Sequence, residues 1–378
     1  MEPSTSLSLG VLLLFQIYSL RGEFTMVYGP LGRVFGRKQD VDLVKKRTGG
    51  YWDPVALTQG QRMQPPTFKK YGTKAVFTKA MASWTGGVPI YFPCLVEMRS
   101  VLGSAALDTW YLYYSTDHAS GAGGIGLATA PHPGGPWKDR GRVFVDTTAG
   151  EQTETPCVLY NENTGLFHMY YHQNYYAAGD TNVYRSQATC LATSPDGVTW
   201  TILKAPLITI PDGDFPGDGH TGYARVYRFN ELWIMRHSMG GTNYSHNGIS
   251  YSLDGINWTT DPYPILGNAE IASDGTTRKI GVNDVFQWRG RLWANVNENS
   301  WASGSGDSTS KVFVSPYNGP RKPGYGLYEI LKVGGAGAWD EKSIRNVTIT
   351  EYEDKLYLFY EGVNAAGDNA FGLAIGEA

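Results

Sequence analysis

A glutamate and a histidine within residues 153–172 are the first pair whose types and spacing suggest chemistry. Glu154 precedes an apolar run, and His172 closes a second run that alternates aromatic and aliphatic residues. Between the runs, residues 161–165 (NENTG) form a turn, because Asn and Gly tolerate positive φ and Asn and Thr side chains hydrogen-bond their own backbone. Antiparallel strands joined in this way bring the start of the first beside the end of the second. The sequence therefore predicts a carboxyl group and an imidazole side by side at one end of a hairpin.

This hairpin belongs to one of five similar units. The second strand of each unit has an aromatic core, and these cores lie roughly 57 to 65 residues apart, about the length of one four-stranded blade with its loops. The five cores are WYLYYS (110–115), FHMYYH (167–172), LWIMRH (232–237), LWANVN (292–297) and LYLFYE (356–361). A partner strand precedes each core, and a Gly-rich loop and a third strand follow it. The pattern predicts an all-β protein, a five-bladed β-propeller.

The propeller is expected to occupy residues 85–378, preceded by an irregular N-terminal arm at residues 26–84. The fifth unit ends after only three strands, so a fourth strand must come from elsewhere if the sheet is not to keep an open edge. Lys74 to Lys79 (KAVFTK) is the best strand candidate of the arm. We therefore expect part of the arm to close the last blade.

Residues 1–25 carry an apolar run, Leu9 to Leu20, that has the length of a signal-peptide core and is too short to span a bilayer comfortably. The eight residues ahead of it contain Glu2 but no Lys or Arg, and no clear small-residue cleavage site follows. A secretory signal, an extension ahead of Met26 and an artificial addition all remain open. Secretion is one expected localisation, and no membrane span is expected in the mature domain.

The composition excludes several classes of protein. The chain has 47 Gly, 11 Trp and 25 Tyr among 378 residues, which is typical of turn-rich all-β proteins. A net charge of -3 without a basic cluster argues against nucleic acid as the main partner. Three cysteines cannot all pair, and Cys94 and Cys157 lie in apolar runs, so we expect buried thiols. P-loops, CxxC pairs and HExxH motifs are absent from the sequence, and no cofactor is expected.

Polar residues converge on one predicted mouth. In a propeller the first strand of each blade lines the central channel, so the starts of first strands and the ends of second strands share one opening. The residues at the starts are Tyr91, Glu154, His220, Asp284 and Arg345. The residues at or near the ends include His118, His172, His237, Glu298 and Glu361. This mixture of acids, histidines, arginines and aromatics predicts a functional site. A structural metal ion held by the histidines is an alternative that no ligand spacing requires.

Three stretches of the first blade carry a resemblance to a known group of enzymes. Residues 113–118 (YYSTDH), 124–130 (GIGLATA) and 135–141 (GPWKDRG) resemble the blades of five-bladed glycoside hydrolases. These are the arabinanase/xylosidase type and its invertase-like and neoagarobiose-hydrolase-like relatives, and the resemblance covers about residues 85–378. It implies cleavage of glycosidic bonds in a polysaccharide or its oligosaccharides. In such enzymes one acidic residue protonates the leaving oxygen while another serves as base or nucleophile.

The resemblance also implies roles for individual residues. By position, Glu154 would be the general acid and Asp284 the base or nucleophile, and His220 would tune either one or donate the proton itself. Substrate contacts would come from residues of the mouth and its rim. These are Trp84, Tyr91, His118, His172, Arg225, His237, Glu298 and Arg345.

Two alternatives remain open for the function. The blade that begins at Tyr91 has no Asp where arabinanase-type enzymes carry their base, which favours a non-catalytic, lectin-like propeller that binds carbohydrate. A scaffold propeller that binds protein on its rim fits less well, because the cores of protein interfaces are depleted of charge.

Overall fold

A computed structural model describes the chain in segments. These are residues 64–116, 123–148, 152–174, 187–208, 221–229, 231–238, 247–261, 270–271, 277–299, 310–317 and 328–377, with four strands ahead of residue 64. The four strands form two antiparallel pairs, β1 (Phe24–Gly29) with β2 (Gly32–Arg37) and β3 (Leu43–Thr48) with β4 (Tyr51–Ala56).

Five antiparallel sheets follow one another along the chain, and in the first four the strands are neighbours in sequence order. Blade 1 contains β7 (Ile90–Glu97), β8 (Trp110–Thr116), β9 (Gly124–Ala130) and β10 (Lys138–Phe144). Blade 2 contains β11 (Glu154–Asn161), β12 (Leu166–Asn174), β13 (Gln187–Ser194) and β14 (Thr201–Lys204). Blade 3 contains β15 (Arg225–Phe229), β16 (Leu232–Ser238), β17 (Asn247–Ser252) and β18 (Thr259–Thr260).

The last two blades have more strands. Blade 4 contains β19 (Glu270–Ile271), β20 (Thr277–Trp288), β21 (Arg291–Asn299), β22 (Lys311–Pro316) and β23 (Tyr328–Lys332). Blade 5 contains β24 (Ser343–Tyr352), β25 (Lys355–Val363) and β26 (Asn369–Glu377), together with β5 (Thr67–Lys70) and β6 (Phe77–Thr78). The predicted all-β, five-bladed β-propeller is confirmed. Among the described residues the α-helical part is one turn, α1 (Arg99–Leu102), and none of their helices is long and apolar enough to cross a membrane.

The ends of the propeller chain meet in the last sheet. Strand β26 pairs with β5, where Ala374 lies opposite Lys70, and with β6, where Phe371 lies opposite Phe77. The donor therefore differs from the predicted Lys74–Lys79 strand: most of the pairing comes from Thr67–Lys70, and only two residues of the predicted segment are in a strand. Gly72, with a φ of 73°, bends the chain between the two pieces.

Apolar side chains fill the space between neighbouring blades. Phe144 of blade 1 and Tyr171 of blade 2 meet edge to face with ring centroids 4.9 Å apart. Trp137 of blade 1 meets Phe359 of blade 5 in the same way at 5.8 Å. Because each sheet is covered on both faces by its neighbours, the inner strands are held rigidly around the channel.

Candidate active site

The inner strands carry a shared irregularity at the end where the predicted site lies. In blade 2 Glu154 is opposite His172 but Cys157 is opposite Tyr170, so the inner strand has one extra residue. Blades 1, 4 and 5 show a register shift at the corresponding place. Such a bulge bends the strand and changes the direction of the side chains beside it. The adjacency of Glu154 and His172 predicted from the hairpin is confirmed.

Four residues at the mouth end of the blades have a backbone conformation that is unusual for their side chains. Phe92, Thr155, Tyr223 and Asn346 have φ values of 55°, 54°, 60° and 50°. For β-branched and aromatic residues this left-handed conformation is strained, and such strain is concentrated at functional sites in proteins. The strained residues therefore single out the same end of the channel as the charged residues do.

Alignment of the inner strands on the bulge defines two rings of equivalent positions. The mouth ring consists of Tyr91, Glu154, Gly222, Gly281 and Arg345. The deep ring, three residues further along each strand, consists of Cys94, Cys157, Arg225, Asp284 and Thr348. An acid on blade 2 and a cation on blade 5 thus flank the tyrosine of blade 1 in the mouth ring.

This alignment corrects the predicted position of Asp284. The sequence pattern placed the start of its strand next to it, but β20 begins at Thr277 and Asp284 lies in the deep ring. The mouth-ring position of blade 4 is Gly281, opposite Asn297. The error arises because the polar first half of β20 lacks the apolar alternation that marks a strand in sequence.

Glu154 is completely buried, and its carboxyl group has a defined orientation. The side-chain amide of Gln152 donates a hydrogen bond of 2.7 Å to its Oε1. On the other side, His172 Nε2 lies 3.6 Å from Oε2. The second imidazole nitrogen, Nδ1, is 2.9 Å from the hydroxyl of Thr155. The carboxyl group is therefore fixed by a hydrogen bond at Oε1, and Oε2 faces the imidazole.

Aromatic rings form a floor beside this carboxyl group. The ring of Tyr223 meets the His172 ring edge to face, with 5.0 Å between the ring centroids. It also meets the Phe92 ring at a tilt, with 5.6 Å between the centroids. Phe92 in turn contacts Tyr91, whose ring lies 5.8 Å from the guanidinium of Arg345. Since Phe92 belongs to blade 1 and Tyr223 precedes the inner strand of blade 3, their contact spans the channel. The aromatic floor (Tyr91, Phe92 and Tyr223) therefore connects the acid of the mouth ring to its cation.

Arg345 is anchored by a buried carboxylate. Its Nε and Nη2 each lie 2.7 Å from Oε1 of Glu361, which is its partner on β25. The amide groups of Asn346 and Asn369 donate to Oε2 and Oε1 of Glu361 at 2.7 and 2.9 Å. Glu361 thus balances the charge of Arg345 and fixes the direction of its remaining N–H donors.

The deep ring joins neighbouring blades. Asp284 accepts hydrogen bonds of 2.9 Å from the Val285 amide and from the Ile349 amide of blade 5. Cys94 and Cys157 accept from the amides of Val158 and Val226 on the next blade, at 3.3 and 3.4 Å. These contacts show that the deep ring has a structural role in addition to any other.

Titration in the deep ring is governed by burial. Burial raises the pKa of Asp284 to about 6, and the Ile349 amide and the charge of Arg225 act in the opposite direction. Burial also raises the pKa of Cys94 to about 12 and that of Cys157 above its ordinary value. The thiols are therefore protonated and weakly reactive at neutral pH, as expected for buried cysteines.

Two residues predicted to contact substrate lie elsewhere. His237 is buried within blade 3, with Nε2 2.9 Å from the Ser250 hydroxyl and Nδ1 2.7 Å from the Ser238 carbonyl. Burial lowers its pKa to about 4. Trp84 donates from Nε1 to the Tyr114 hydroxyl at 2.8 Å and lies over the third strand of blade 1, not in the mouth ring. Strand alternation explains the place of His237, because its position points into a blade interface, whereas Trp84 lies in a short 3₁₀ helix (Ser83–Thr85) ahead of blade 1.

The remaining predicted residues have different outcomes. Tyr91, Glu154, His172 and Arg345 come together at the mouth, and Arg225 lines the deep ring. His118, His220 and the side chain of Glu298 lie outside the described residues. The part of the chain that the structure describes holds no cluster of three or more His, Cys, Asp or Glu suited to a metal ion.

Sequence reasoning missed the residues that surround the predicted ones. These are Phe92, Gln152, Thr155, Tyr223 and Asn346. A signal was present in two blades, because a Pro-Cys pair follows both Tyr91-Phe92 and Glu154-Thr155. This repeated pair marks equivalent positions just after the bulge.

Comparisons with known proteins agree with the fold. No protein-family model and no curated protein matches the chain. The chain is similar to a solved glycosyl hydrolase from Bacteroides ovatus, with 16% identity, a TM-score of 0.54 and coverage of 83% of this chain and 95% of that one. It is also similar to the catalytic domain of an α-L-arabinofuranosidase from Coprinopsis cinerea, with 13% identity, a TM-score of 0.52 and coverage of 83% and 98%.

A third similar structure is an N-acetylgalactosamine deacetylase from F. plautii in complex with blood group B trisaccharide. The identity is 12%, the TM-score is 0.56, and the match covers 83% of this chain and 94% of that chain. At these identities the similarities show the fold alone. The predicted resemblance to propeller glycoside hydrolases is confirmed at that level, and the chemistry has to be argued from the site.

Proposed function

We propose that the protein is a glycoside hydrolase whose reaction takes place at the mouth ring, with Glu154 as the proton donor. The observation that carries the proposal is the buried carboxyl group of Glu154, which is held by Gln152 and faces His172 next to the aromatic floor. A sugar needs such a pairing, because its apolar ring face stacks on aromatic side chains while a fixed acid protonates the leaving oxygen. The occurrence of the same fold in glycosidases supports the proposal.

Asp284 is the proposed base or nucleophile. Its pKa of about 6 is suited to a group that exchanges protons near neutral pH. Its two backbone hydrogen bonds hold the carboxyl group in place, and Arg225 in the same ring favours the ionised form. His220 remains a proposed helper of either acid.

The sugar is proposed to be held by Tyr91 and Arg345. Tyr91 offers a ring face, and Arg345 offers N–H donors whose direction is set by Glu361. Because Glu361 balances the charge of Arg345, this wall suits a hydroxyl-rich neutral sugar better than an anionic one.

Burial of Glu154 adds a kinetic requirement. The residue has 0% relative exposure, so bulk water does not reach the carboxyl group. A sugar can contact this group only after a local opening at the mouth. Such opening and closing commonly limits turnover in enzymes that exclude water from the reaction.

One observation favours the second candidate function, a non-catalytic carbohydrate-binding propeller. Both carboxylate oxygens of Asp284 accept hydrogen bonds from backbone amides, and the residue lies in the deep ring, further from the mouth than Glu154. If Asp284 serves only to join blades 4 and 5, the mouth lacks the second carboxylate that hydrolysis needs. The protein would then bind sugars without cleaving them.

The test is release of reducing sugar from a panel of neutral and anionic polysaccharides and oligosaccharides. We expect Glu154→Gln and Asp284→Asn each to lower turnover by about 10²- to 10⁴-fold, the usual contribution of a general acid or base. The matched control is Asp340→Asn, because Asp340 is a buried carboxylate of blade 5 that pairs with Lys70 at 2.6 Å and belongs to neither the mouth ring nor the deep ring. That variant should lose stability and keep its turnover.

The outcomes of this test distinguish the glycoside hydrolase from the lectin-like function. Sugar release that is unchanged in both Glu154→Gln and Asp284→Asn would reject the catalytic roles proposed for these two residues. Retention of the wild-type protein on a glycan without any release would support the lectin-like function instead.

A further inference from the structure

We infer that Thr155 is a positioning residue for Glu154, because its hydroxyl fixes the tautomer and orientation of the His172 imidazole that faces the Glu154 carboxyl group. The catalytic consequence rests on the proposed function. The arrangement of the three side chains does not.

The backbone of Thr155 gives the first argument. A β-branched residue at a φ of 54° is strained by about 1–3 kcal/mol, whereas glycine adopts this conformation without strain. The amide of Thr155 donates 2.9 Å to the Ser115 hydroxyl on blade 1, which holds the strained residue in place. The side chain has to make a contact that offsets the strain, and its hydroxyl is 2.9 Å from His172 Nδ1.

The imidazole gives the second argument. A neutral histidine has one donor nitrogen and one acceptor nitrogen, and the carboxylate of Glu154, in the ionised state that it reaches once it has given up a proton, can only accept. His172 Nε2 faces Oε2 of Glu154 at 3.6 Å, so the proton belongs on Nε2. Nδ1 must then accept, and the Thr155 hydroxyl is the group placed to donate to it. The other tautomer would point a nitrogen lone pair at the carboxylate.

Blade 5 repeats the arrangement with different residues. There the strained residue after the mouth-ring position is Asn346, and its side chain donates to Glu361, the cross-strand partner of Arg345. In blade 2 the strained residue is Thr155, and its side chain contacts His172, the cross-strand partner of Glu154. In both blades the bulge therefore uses the side chain after the mouth-ring residue to hold that residue's partner.

Full-length wild type and two variants test the inference. Thr155→Val keeps the shape of the side chain and removes the hydroxyl, and Thr155→Ser keeps the hydroxyl. Ring nitrogen signals of histidine are recorded by ¹⁵N NMR on unliganded protein at a pH high enough for Glu154 to be ionised, and His172 is assigned by the signal lost in His172→Gln. We expect an Nε2-protonated ring in wild type and Thr155→Ser, and loss of that single tautomer in Thr155→Val.

Turnover supplies the second readout. Loss of one hydrogen bond corresponds to about a tenfold fall in kcat, with KM changed less than about twofold, and Thr155→Ser should restore kcat to within about twofold of wild type. The control is Thr350→Val, because the Thr350 hydroxyl donates to the Leu95 carbonyl on the neighbouring blade at 3.1 Å and has no contact with His172. It should leave both the tautomer and kcat unchanged.

The inference and the proposed function can fail separately. An Nδ1-protonated His172 in wild type, or a Thr155→Val variant with unchanged tautomer and kcat, would overturn the inference. The wild-type spectrum decides even if Thr155→Val does not fold. Absence of sugar release by wild type would count against the proposed function and would leave the tautomer measurement to judge the inference.

Discussion

Two hairpins of the propeller each place an acidic and a basic residue opposite each other at the same register: β11–β12 of blade 2 and β24–β25 of blade 5. The strand that carries the acid differs between them. In blade 2 the acid, Glu154, is on the inner strand and His172 is its partner. In blade 5 the base, Arg345, is on the inner strand and Glu361 is its partner. The bulge follows the mouth-ring residue in both, so the backbone is the same and the chemistry differs.

The difference shows how one backbone device can serve two purposes. Arg345 Nη2 lies 2.7 Å from Glu361 Oε1, and the side-chain amides of Asn346 and Asn369 donate further hydrogen bonds to the same carboxylate. An arginine keeps its charge at all accessible pH values, so this pair is permanent. The Glu154 and His172 side chains lie further apart, with 3.6 Å between Oε2 and Nε2. Blade 5 therefore provides a fixed wall, and blade 2 provides the carboxyl group that we propose as the proton donor.

The largest effect that tests this contrast is on stability. We expect Glu361→Gln to lower the free energy of unfolding by about 3 kcal/mol, because removal of one member of a buried pair leaves the other without a counter-charge. The same change in blade 2, Glu154→Gln, should cost less than about 1 kcal/mol, since no permanent charge is left behind. Denaturant unfolding of both variants checks the prediction, and equal losses would contradict it.

The second effect concerns the dependence of stability on pH. The folded state raises the pKa of Asp284 from an ordinary value of about 3.9 to about 6, so folding favours the protonated form. The stabilisation from that proton is complete below about pH 4 and is lost as pH rises through about 6. Relative to Asp284→Asn, wild type should therefore lose about 2 kcal/mol of stability between pH 4 and pH 7, after allowance for partial exposure of the side chain.

Unfolding measurements at four pH values between 4 and 7 check this second prediction. The permanent Arg345–Glu361 pair should show no such slope, so Arg345→Lys serves as the comparison variant. A stability difference between wild type and Asp284→Asn that stays constant with pH would contradict the assigned shift.

The regular parts of the propeller could be predicted because they repeat. Each second-strand core lies within a strand of the structure, since alternating aromatic and aliphatic residues signal a buried strand. The turn at Asn161 to Gly165 set the hairpin register that joins Glu154 and His172. Asp196 and Asp254 accept backbone hydrogen bonds within their own Asp-Gly turns, so these turns are structural.

The irregular parts could not be predicted, for physical reasons. A bulge adds one residue without changing the apolar pattern around it, so the ring to which Asp284 belongs was not visible in sequence. The closing strand Thr67–Lys70 is short and polar, as exposed edge strands usually are. The more apolar segment Lys74–Lys79 matches the sequence pattern of a strand more closely and was therefore predicted instead. Contacts such as Thr155 with His172 depend on the same bulge and became visible only with it.

The smallest effect compares the two strained residues directly. Replacement of Asn346 or Thr155 by Gly should release about 1 kcal/mol of backbone strain in each case. Asn346→Gly also loses a hydrogen bond to a buried carboxylate, worth about 1.5–3 kcal/mol, so we expect a net loss of about 1 kcal/mol. Thr155→Gly loses a bond between neutral groups, worth about 1 kcal/mol, and should stay within about 0.5 kcal/mol of wild type.

Glu353→Gly calibrates this comparison. Glu353 is exposed in the β24–β25 turn at a φ of 48° and contacts the Tyr352 side chain, so its replacement releases strain with the loss of one exposed contact and should stabilise the protein by less than about 1 kcal/mol. Denaturant midpoints of the three variants rank the effects. If Asn346→Gly gained as much stability as Glu353→Gly, the Asn346 bond to Glu361 would contribute nothing, and the rigidity assigned to the blade 5 wall would have to come from the arginine alone.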